Sequence, residues 1–528
     1  MHLRAAPAAL LEEHAPVNRW LASASVLTGT FMVVLDSTVV NVSLPHIAGS
    51  LSASVEESTW ALTSYLAANA VILPMTGWLA NHFGRKRLLL LAVTGFTIAS
   101  FLCGFAPTLG FLIVCRVVQG ASGGMMQPLS QAVMLESFPP EERGEAMALW
   151  GLGIVVAPIF GPVLGGWLTD NYSWRWIFYI NIPVGVVAWA MISRFIFDPP
   201  YIRRRSESID YWGIGLLTVG IATLQIGLDK GQEDDWLASH LIASLLAVAA
   251  VSLVLLVIRE LRTSHPVIDL GVFANRTYGV GIGLIALMGF VLYGSLMLLP
   301  IMLQTLMGYP PLQAGIAMAP RGIGMLLVTP VVGVLISRVD ARKLLAAGFL
   351  ISAGTLYWFA KLNLDVGYWD IFWPQLVQGI GFGMLFVPLT TTTMDPIRNE
   401  AMGNATSLFN LMRNIGGSVG IAAMATLLAR RQQVYVNVLG EHVTPYATGT
   451  QQMLAGLRGA LIERGADVTT ATHQAYAVVM GMVQRQAAVL AFLDAFGLLA
   501  AIFFLLTPFV LLMSRPRRRQ RSAAPARA

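Results

Sequence analysis

The chain has 528 residues, of which 12% are charged and 56% are hydrophobic, and its mean hydropathy is +0.67. Soluble proteins usually have about 25% charged residues, so the composition excludes a soluble multidomain protein. The apolar stretches are about 20 residues long, the length of a membrane-spanning helix rather than of a barrel strand. The sequence therefore predicts an all-α integral membrane protein.

The net charge of +6 does not indicate a nucleic-acid partner, because the basic residues lie in short clusters between apolar stretches. Cys103 and Cys115 lie inside apolar stretches, so we expect neither a disulfide framework nor a cysteine-based metal site. The first apolar run is too long for a cleavable signal peptide, and we expect it to stay in the membrane. Motif spacings of zinc proteases, serine hydrolases and phosphate-binding loops are missing from the sequence, so we predict no enzymatic activity, metal or cofactor.

Fourteen stretches are long enough to cross about 30 Å of hydrocarbon. Their approximate limits are 20–44, 58–80, 88–106, 109–135, 145–169, 174–197, 210–228, 239–261, 279–307, 311–337, 343–361, 369–393, 402–429 and 486–513. Lys and Arg concentrate in every second connection, beginning with Arg85, Lys86 and Arg87. Because cytoplasmic loops carry this excess, both termini are predicted to be cytoplasmic.

The stretches divide into two groups of six and a linking pair. We predict a cytoplasmic N-terminus at 1–19, a first half at 20–197, a linker with two extra transmembrane helices at 198–278, a second half at 279–513 and a basic cytoplasmic tail at 514–528. The second half contains a long periplasmic segment at 430–485, in which apolar residues at helical spacing predict an amphipathic helix over 451–464. That helix either caps the membrane domain or docks a partner protein.

An internal repeat relates the two halves. Val118-Gln119-Gly120 opens a Gly-rich stretch that ends in a Pro-Leu pair, and Val377-Gln378-Gly379 opens another. Two related membrane halves are typical of secondary transporters, whose substrate site lies near the bilayer midplane between them.

Asp36 lies well inside the first apolar stretch, where a carboxylate costs about 2.5–3.5 kcal/mol on insertion scales. Arg116 is its natural partner, because both residues are predicted roughly 10–12 Å below the outer edge of the membrane. A carboxylate that gains and loses such a partner during a conformational change can couple that change to proton movement. The alternative is a static ion pair. Asp494 lies at a comparable depth and is either a second titrating site or a residue of the outer vestibule.

Two further arginines, Arg321 and Arg413, also fall within apolar stretches. Each either lines the cavity or belongs to a structural ion pair, and the ion pair is the favoured interpretation. Other weaker candidates for the substrate cavity are apolar, aromatic or amide side chains near the repeat motifs, which would give broad selectivity: Gln127, Tyr293, Gln378 and Phe409.

Two glycine-containing motifs complete the candidates. The fifth stretch contains Gly161, Pro162, Gly165 and Gly166, which favour close helix packing or a hinge that seals the halves against ions. A basic inner loop contains Gly77, Asn81, Gly84, Arg85 and Lys86, whose glycines indicate a role in holding helix ends while the halves rock.

These motifs resemble those of the major facilitator superfamily, in particular its fourteen-span drug:proton antiporters. Leu35-Asp36-Ser37-Thr38 is similar to the first-span motif of that family, and Arg116-Val117-Val118-Gln119-Gly120 to its fourth-span motif. Gly161-Pro162 with Gly165-Gly166 is similar to the antiporter motif, and the run from Asn410 to Ser418 to the motif of the thirteenth span. The similarity covers nearly the whole chain.

The resemblance implies a fold of two six-helix bundles plus two linker helices, and export of hydrophobic or amphipathic drugs in exchange for protons. It implies that Asp36 is the proton site, that Arg116 is its coupled partner and that Gly161 and Pro162 belong to the antiporter seal. It further implies an inner-membrane location, a periplasmic adaptor of the EmrA type and an outer-membrane channel. The inner-loop motif departs from the family, because Asn81 stands where an acid is usual.

Three other functions remain open on the sequence. The first is proton-coupled export of one endogenous lipid or siderophore. The others are a membrane enzyme and a passive channel or sensor, which would not need Asp36.

Overall fold

The computed structural model describes residues 18–139, 142–198, 210–263, 266–336, 338–364, 366–444 and 446–513. The N-terminal residues 1–17, the basic cluster at 203–205 in the predicted linker and the basic tail at 514–528 lie outside these ranges. Within the described residues every regular element is a helix, and seventeen of these are α-helices. The all-α prediction is therefore confirmed.

The helices follow one another with short connections. Those up to the linker are α1 (Arg19–Ser50), α2 (Val55–Ser58), α3 (Trp60–Phe83), α4 (Arg85–Phe105), α5 (Leu109–Ser137), α6 (Arg143–Asn171), α7 (Trp176–Tyr179) and α8 (Asn181–Phe195). The linker pair is α9 (Tyr211–Lys230) and α10 (His240–Glu260). The remaining α-helices are α11 (Arg276–Thr305), α12 (Pro311–Leu335), α13 (Ala341–Phe359), α14 (Tyr368–Met394), α15 (Met402–Gly440), α16 (Thr448–Glu463) and α17 (Val468–Leu506). Short 3-10 helices lie at Trp236–Ala238, Leu270–Ala274, Asn399–Ala401 and Thr507–Leu512.

A helix is present at each of the fourteen predicted stretches. One stretch is divided into two helices, and two others are longer than predicted. The stretch 174–197 is divided into α7 and α8. Helix α15 continues to Gly440 and α17 begins at Val468, so much of the segment 430–485 extends the two neighbouring helices instead of forming a loop. The helix predicted over 451–464 is α16, which packs on α17. Of the described residues, eleven helical stretches are long and apolar enough to cross a membrane.

Polar residues fix where several of these helices begin. Asn18, Thr108 and Asn275 each accept hydrogen bonds from backbone N–H groups in the first turn of α1, α5 and α11. Asp210 and Asp467 do the same for α9 and α17. Such caps satisfy N–H groups that have no partner within the helix, so they place the helix start at a defined residue.

The long helices form two bundles with a shared interface. In the first, α1 packs on α5, α6 and α8, and α4 packs on α5 and α8. The second repeats this plan, with α11 on α15 and with α13 on α14 and α17. Contacts of α6 with α12 and α14, and of α15 with α3 and α5, join the two bundles. In this arrangement of two bundles, the interface is formed by α3, α5 and α6 from the first bundle and by α12, α14 and α15 from the second.

The linker helices pack against each other and touch both bundles. Asp229 accepts a hydrogen bond from Thr63 on α3, and Gln225 accepts one from Ser418 on α15 at 3.0 Å. At the other end of the linker, Arg259 holds the Asp210 carboxylate with Nη2 to Oδ1 at 2.7 Å. Burial raises the pKa of Asp210, but hydrogen bonds from Arg259 and from the Gly213 N–H outweigh it, so that pKa lies below its usual value.

Candidate functional site

Asp36 lies inside α1 and its side chain is inaccessible to solvent. One carboxylate oxygen, Oδ2, accepts a hydrogen bond from Arg116 Nη1 at 2.6 Å. The other, Oδ1, accepts from Gln119 Nε2 at 3.0 Å and from Asn181 Nδ2 at 2.7 Å. The contact with Arg116 that the sequence predicted is therefore present, and two amide donors complete it.

Arg116 is held through its Nε and Nη1 atoms and is 0% exposed, whereas its Nη2 is buried without a partner among the described residues. Its Nε donates to the Ala61 carbonyl on α3 at 3.0 Å, and Nη1 also donates to Gln119 Oε1 at 2.7 Å. The guanidinium carbon lies 4.1 Å from the centre of the Tyr65 ring. Because Gln119 follows Arg116 by one helical turn, it bridges the arginine and the carboxylate.

Asn181 is a site residue that was not predicted from the sequence. It begins α8, is 1% exposed, and donates to Ser100 Oγ at 3.0 Å as well as to Asp36. A polar residue between apolar neighbours was the available signal. Gln119 and Tyr65 were also missed as partners, although Gln119 lies in the repeat motif.

This arrangement stabilises an ionised carboxylate in an apolar interior. Leaving either charge of a buried ion pair without its partner costs about 3–5 kcal/mol. The donors to Asp36 lie on α5 and α8, and its arginine is anchored on α3, so the site joins four helices when α1 is included. A relative movement of α1 and α5 would therefore break the hydrogen bonds that Arg116 and Gln119 donate to Asp36.

The motif in α6 packs against α1 one helical turn from Asp36. A Cβ atom at Gly161 would lie 2.0 Å from Thr38 Oγ1, and one at Gly165 would lie 2.9 Å from the Val39 carbonyl oxygen. Gly166 is half-buried, and the side chain of Pro162 lies outside the described part of the structure. These glycines join α6 to α1 within the first bundle, and their role as a seal stays a prediction.

The basic inner loop connects α3 and α4. Gly84 has a φ of +88°, which favours glycine, and the backbone N–H of Lys86 donates to Asp198 Oδ1 at 2.8 Å. Arg85 is 3% exposed and pairs with Glu136 at the end of α5. Asn81 is exposed. The acids that contact this loop are therefore Asp198 and Glu136, and neither belongs to the loop itself.

At this end of the molecule the two bundles touch through backbone. A Cβ atom at Gly77 would lie 2.6 Å from the Asn404 nitrogen on α15. Nearby, Asn410 Nδ2 donates to Gln131 Oε1 at 2.6 Å, and Thr406 Oγ1 donates to the Pro128 carbonyl at 3.2 Å. The structure is therefore a conformation in which the end that carries the basic loop is closed.

Arg413 and Gln127 meet across the bundle interface. Arg413 Nη2 donates to Gln127 Oε1 at 2.8 Å, and Arg413 is 4% exposed. Its Nε is buried without a partner among the described residues. Tyr293, on α11, lies against Gly417, which is on the same helix as Arg413. Phe409 is completely buried in the hydrophobic core.

Arg321 and Gln378 lie together in the second bundle, where Arg321 Nη2 donates to Gln378 Oε1 at 2.7 Å. Among the described residues, neither Arg321 nor Arg413 has a carboxylate partner. The prediction that these two arginines form structural ion pairs is therefore wrong, because each donates to the neutral amide oxygen of a glutamine instead of to a carboxylate.

Asp494 lies apart from Asp36, on α17. Its carboxylate accepts a hydrogen bond from Tyr435 at 2.8 Å and lies 3.4 Å from Arg431 Nε. The side chain is 36% exposed. Both of its partners belong to α15, so Asp494 joins the two long helices near the place where they extend towards α16.

Comparison with known proteins identifies the lineage of the fold. A model of the Major Facilitator Superfamily matches residues 26–421. The chain is 38% identical to the fatty acid resistance protein FarB of Neisseria gonorrhoeae, over 92% of this chain and 94% of that protein. It is 42% identical to the multidrug export protein EmrB of Haemophilus influenzae, over 81% of this chain and 84% of that protein. Among solved structures, the human organic anion transporter MFSD10 aligns with a TM-score of 0.58 at 13% identity, covering 92% of this chain and 99% of that one, a likeness of fold alone.

Proposed function

Because the chain belongs to the major facilitator superfamily, we propose that it is a proton-driven multidrug efflux antiporter that works by alternating access. Its substrates are hydrophobic and amphipathic toxic compounds, an assignment supported by its similarity to EmrB. The observation that carries proton coupling is the Asp36 carboxylate, which is buried inside a long apolar helix and is held by Arg116, Gln119 and Asn181.

The contacts of Asp36 suggest how coupling works. With the cytoplasmic end closed, three donors hold the ionised carboxylate. A proton taken up from outside in this state neutralises Asp36 and weakens these hydrogen bonds, so that α1 can separate from its donors as the bundles rock. The proton leaves to the cytoplasm when that side is open and the donors contact Asp36 again. One proton that crosses 100 mV provides about 2.3 kcal/mol for moving substrate outward.

We propose fourteen membrane spans with both termini in the cytoplasm and a location in the inner membrane. A helix at each of the fourteen predicted stretches and the basic residues at 85–87 support this topology. In that orientation the closed end is cytoplasmic, so the structure corresponds to an outward-facing state. Motif glycines that bring helix backbones into contact, such as Gly77, let this end close tightly.

The substrate cavity is proposed near Gln127, Arg413 and Tyr293, since Gln127 and Arg413 meet across the bundles and Tyr293 lies against Gly417, one helical turn from Arg413 on α15. Amide, aromatic and apolar groups would give broad selectivity. The second candidate is proton-coupled export of one lipid-like compound. The similarity to FarB, a fatty acid resistance protein, favours that candidate, and a drug panel that leaves resistance unchanged would support it.

We propose a periplasmic adaptor of the EmrA type and an outer-membrane channel as partners. The helices α15 and α17 support this, because both continue well past the length of a single span and carry α16 between them. Deletion of 440–480 should abolish co-purification with the adaptor. Full retention of the adaptor by the deletion variant would contradict the proposal that this segment docks the adaptor.

Reconstitution into proteoliposomes tests the proposed function. An imposed pH gradient should drive transport of an efflux dye by the wild-type protein and should fail to drive it in Asp36→Asn. Equal movement in both proteins would make Asp36 structural and would make Asp494 the next proton site to test. A substrate gradient dissipated without any proton requirement would indicate a channel.

A further inference from the structure

A second polar cluster lies in the second bundle, around the guanidinium of Arg321. Arg321 is 7% exposed, and its Nε donates to Gln375 Oε1 at 2.7 Å. Its Nη2 donates to Gln378 Oε1 at 2.7 Å, and its Nη1 lies 3.4 Å from Ser295 Oγ. These four residues, which we call the arginine cage, hold a buried positive charge with neutral oxygens only.

The internal repeat relates the arginine cage to the site of Asp36. Ser295, Gln375 and Gln378 follow Asp36, Arg116 and Gln119 by the same number of positions along the chain. They also lie on the corresponding helices, since α11 corresponds to α1 and α14 to α5. The second bundle thus has a hydroxyl where the first has a carboxylate, while its arginine comes from α12.

Two donors in the arginine cage have no acceptor. A guanidinium only donates hydrogen bonds, so both glutamines must turn their oxygens towards Arg321 and their NH₂ groups away from it. Nε2 of Gln375 and Nε2 of Gln378 are buried and lack a partner among the described residues. In the first bundle the equivalent Gln119 Nε2 donates to Asp36.

A buried cation and two buried donors without an acceptor are costly unless an anion accompanies them. We propose that the arginine cage binds a monovalent anion, either a halide or a carboxylate, next to Ser295. The anion supplies the charge that Asp36 supplies in the first bundle. Because the cage is closed to solvent in this conformation, the anion enters when the bundles move apart.

Thermal unfolding of the purified full-length protein in detergent tests this site. Sodium chloride or sodium formate is titrated against sodium sulfate, whose anion is divalent and is neither a halide nor a carboxylate, at constant ionic strength. The wild-type melting temperature should rise and saturate with at least one of the two small anions. A response to chloride alone would assign a halide from solution, and a response to formate alone would assign a carboxylate such as a substrate head group.

Substitutions separate the cage from general salt effects. Ser295→Asp places a carboxylate beside Arg321 and should abolish the anion response, and Arg321→Gln should do so by removing the cation. Asp36→Ser makes the first site resemble the cage and should create a second saturable response. Arg398→Gln alters an arginine that is 85% exposed and should respond like the wild type.

The proposal is overturned if neither anion gives a saturable rise, or if Arg321→Gln responds as the wild type does. Arg321→Gln keeps the test decisive should Ser295→Asp fail to fold. No proton gradient or transported drug is used, so the result is independent of the proposed antiport. A failure of the transport assay would therefore not argue against the anion site, and a failure of the anion titration would not argue against the proposed antiport.

Discussion

Replacement of Gly77 by alanine should open the end of the molecule that carries the basic loop. The added Cβ atom would lie 2.6 Å from the Asn404 nitrogen, 2.7 Å from the Asn404 Cα and 2.8 Å from the Gly403 carbonyl carbon. Contacts between such atoms are optimal at about 3.5–4.0 Å, so the two backbones must separate by about 1 Å. Rigid backbone atoms cannot rotate away as a side chain would.

Overpacking of this kind costs about 1–3 kcal/mol. Since each 1.4 kcal/mol changes an equilibrium constant about tenfold, Gly77→Ala should lower the ratio of closed to open molecules about 5- to 150-fold. Alanine is a better helix former than glycine, so α3 itself should not be weakened. The expected effect is therefore conformational rather than a loss of folding.

Spin labels on the two bundles measure that ratio. Exposed positions at the same end, Arg87 on α4 and Lys343 on α13, can each carry a label through a cysteine substitution. Gly77→Ala should shift the distance distribution towards longer distances. Gly354→Ala is the matched control, because nothing lies within 4 Å of a Cβ atom there. An unchanged distribution in Gly77→Ala would refute the reasoning from backbone contact.

Three further substitutions probe the polar contacts. Asn181→Leu removes a hydrogen bond to the charged Asp36 site and should lower the free energy of unfolding by about 1.5–3 kcal/mol in a denaturation series. An unchanged free energy of unfolding would show that Asn181 does not stabilise the site. Arg85→Glu should destabilise the protein by about 3–5 kcal/mol, and adding Glu136→Arg should restore part of it, as melting temperatures would reveal. Asp210→Asn should lower the melting temperature at pH 7, because its ion pair with Arg259 depresses the pKa of Asp210. That deficit should disappear only as the pH falls through the lowered pKa of folded Asp210, below the usual value of about 3.9, because the wild-type carboxyl becomes neutral there; a deficit that stays constant to still lower pH would contradict it.

Much of the fold was predictable because apolar length and charged connections report on membrane spans directly. The starts of most helices agree with the sequence within a few residues, since caps such as Asn275 are local signals. The extensions of α15 and α17 were missed because their added turns are polar, as at Gln432 and Gln433. A prediction from hydropathy alone places the end of the helix where the polar residues begin. Helix propensity and mutual packing continue the helices beyond that point.

The candidate site was predictable in part. Depth along two antiparallel helices was enough to pair Asp36 with Arg116. It could not select Asn181, because the start of α8 reaches the site only through the break after α7. Nor could it foresee that Arg321 and Arg413 would meet amides, since the choice of a partner for a buried cation depends on tertiary packing.

In the proposed mechanism Asp36 exchanges protons with solution as substrate binds. Proton release from the purified protein in weakly buffered detergent solution, followed with a pH-sensitive dye when a transported drug is added, tests this exchange directly. The wild-type protein should release protons in a saturable manner. Asp36→Asn should bind the drug, as monitored by tryptophan fluorescence, without releasing any. Equal release by the variant would contradict the assignment of Asp36 as the coupling site.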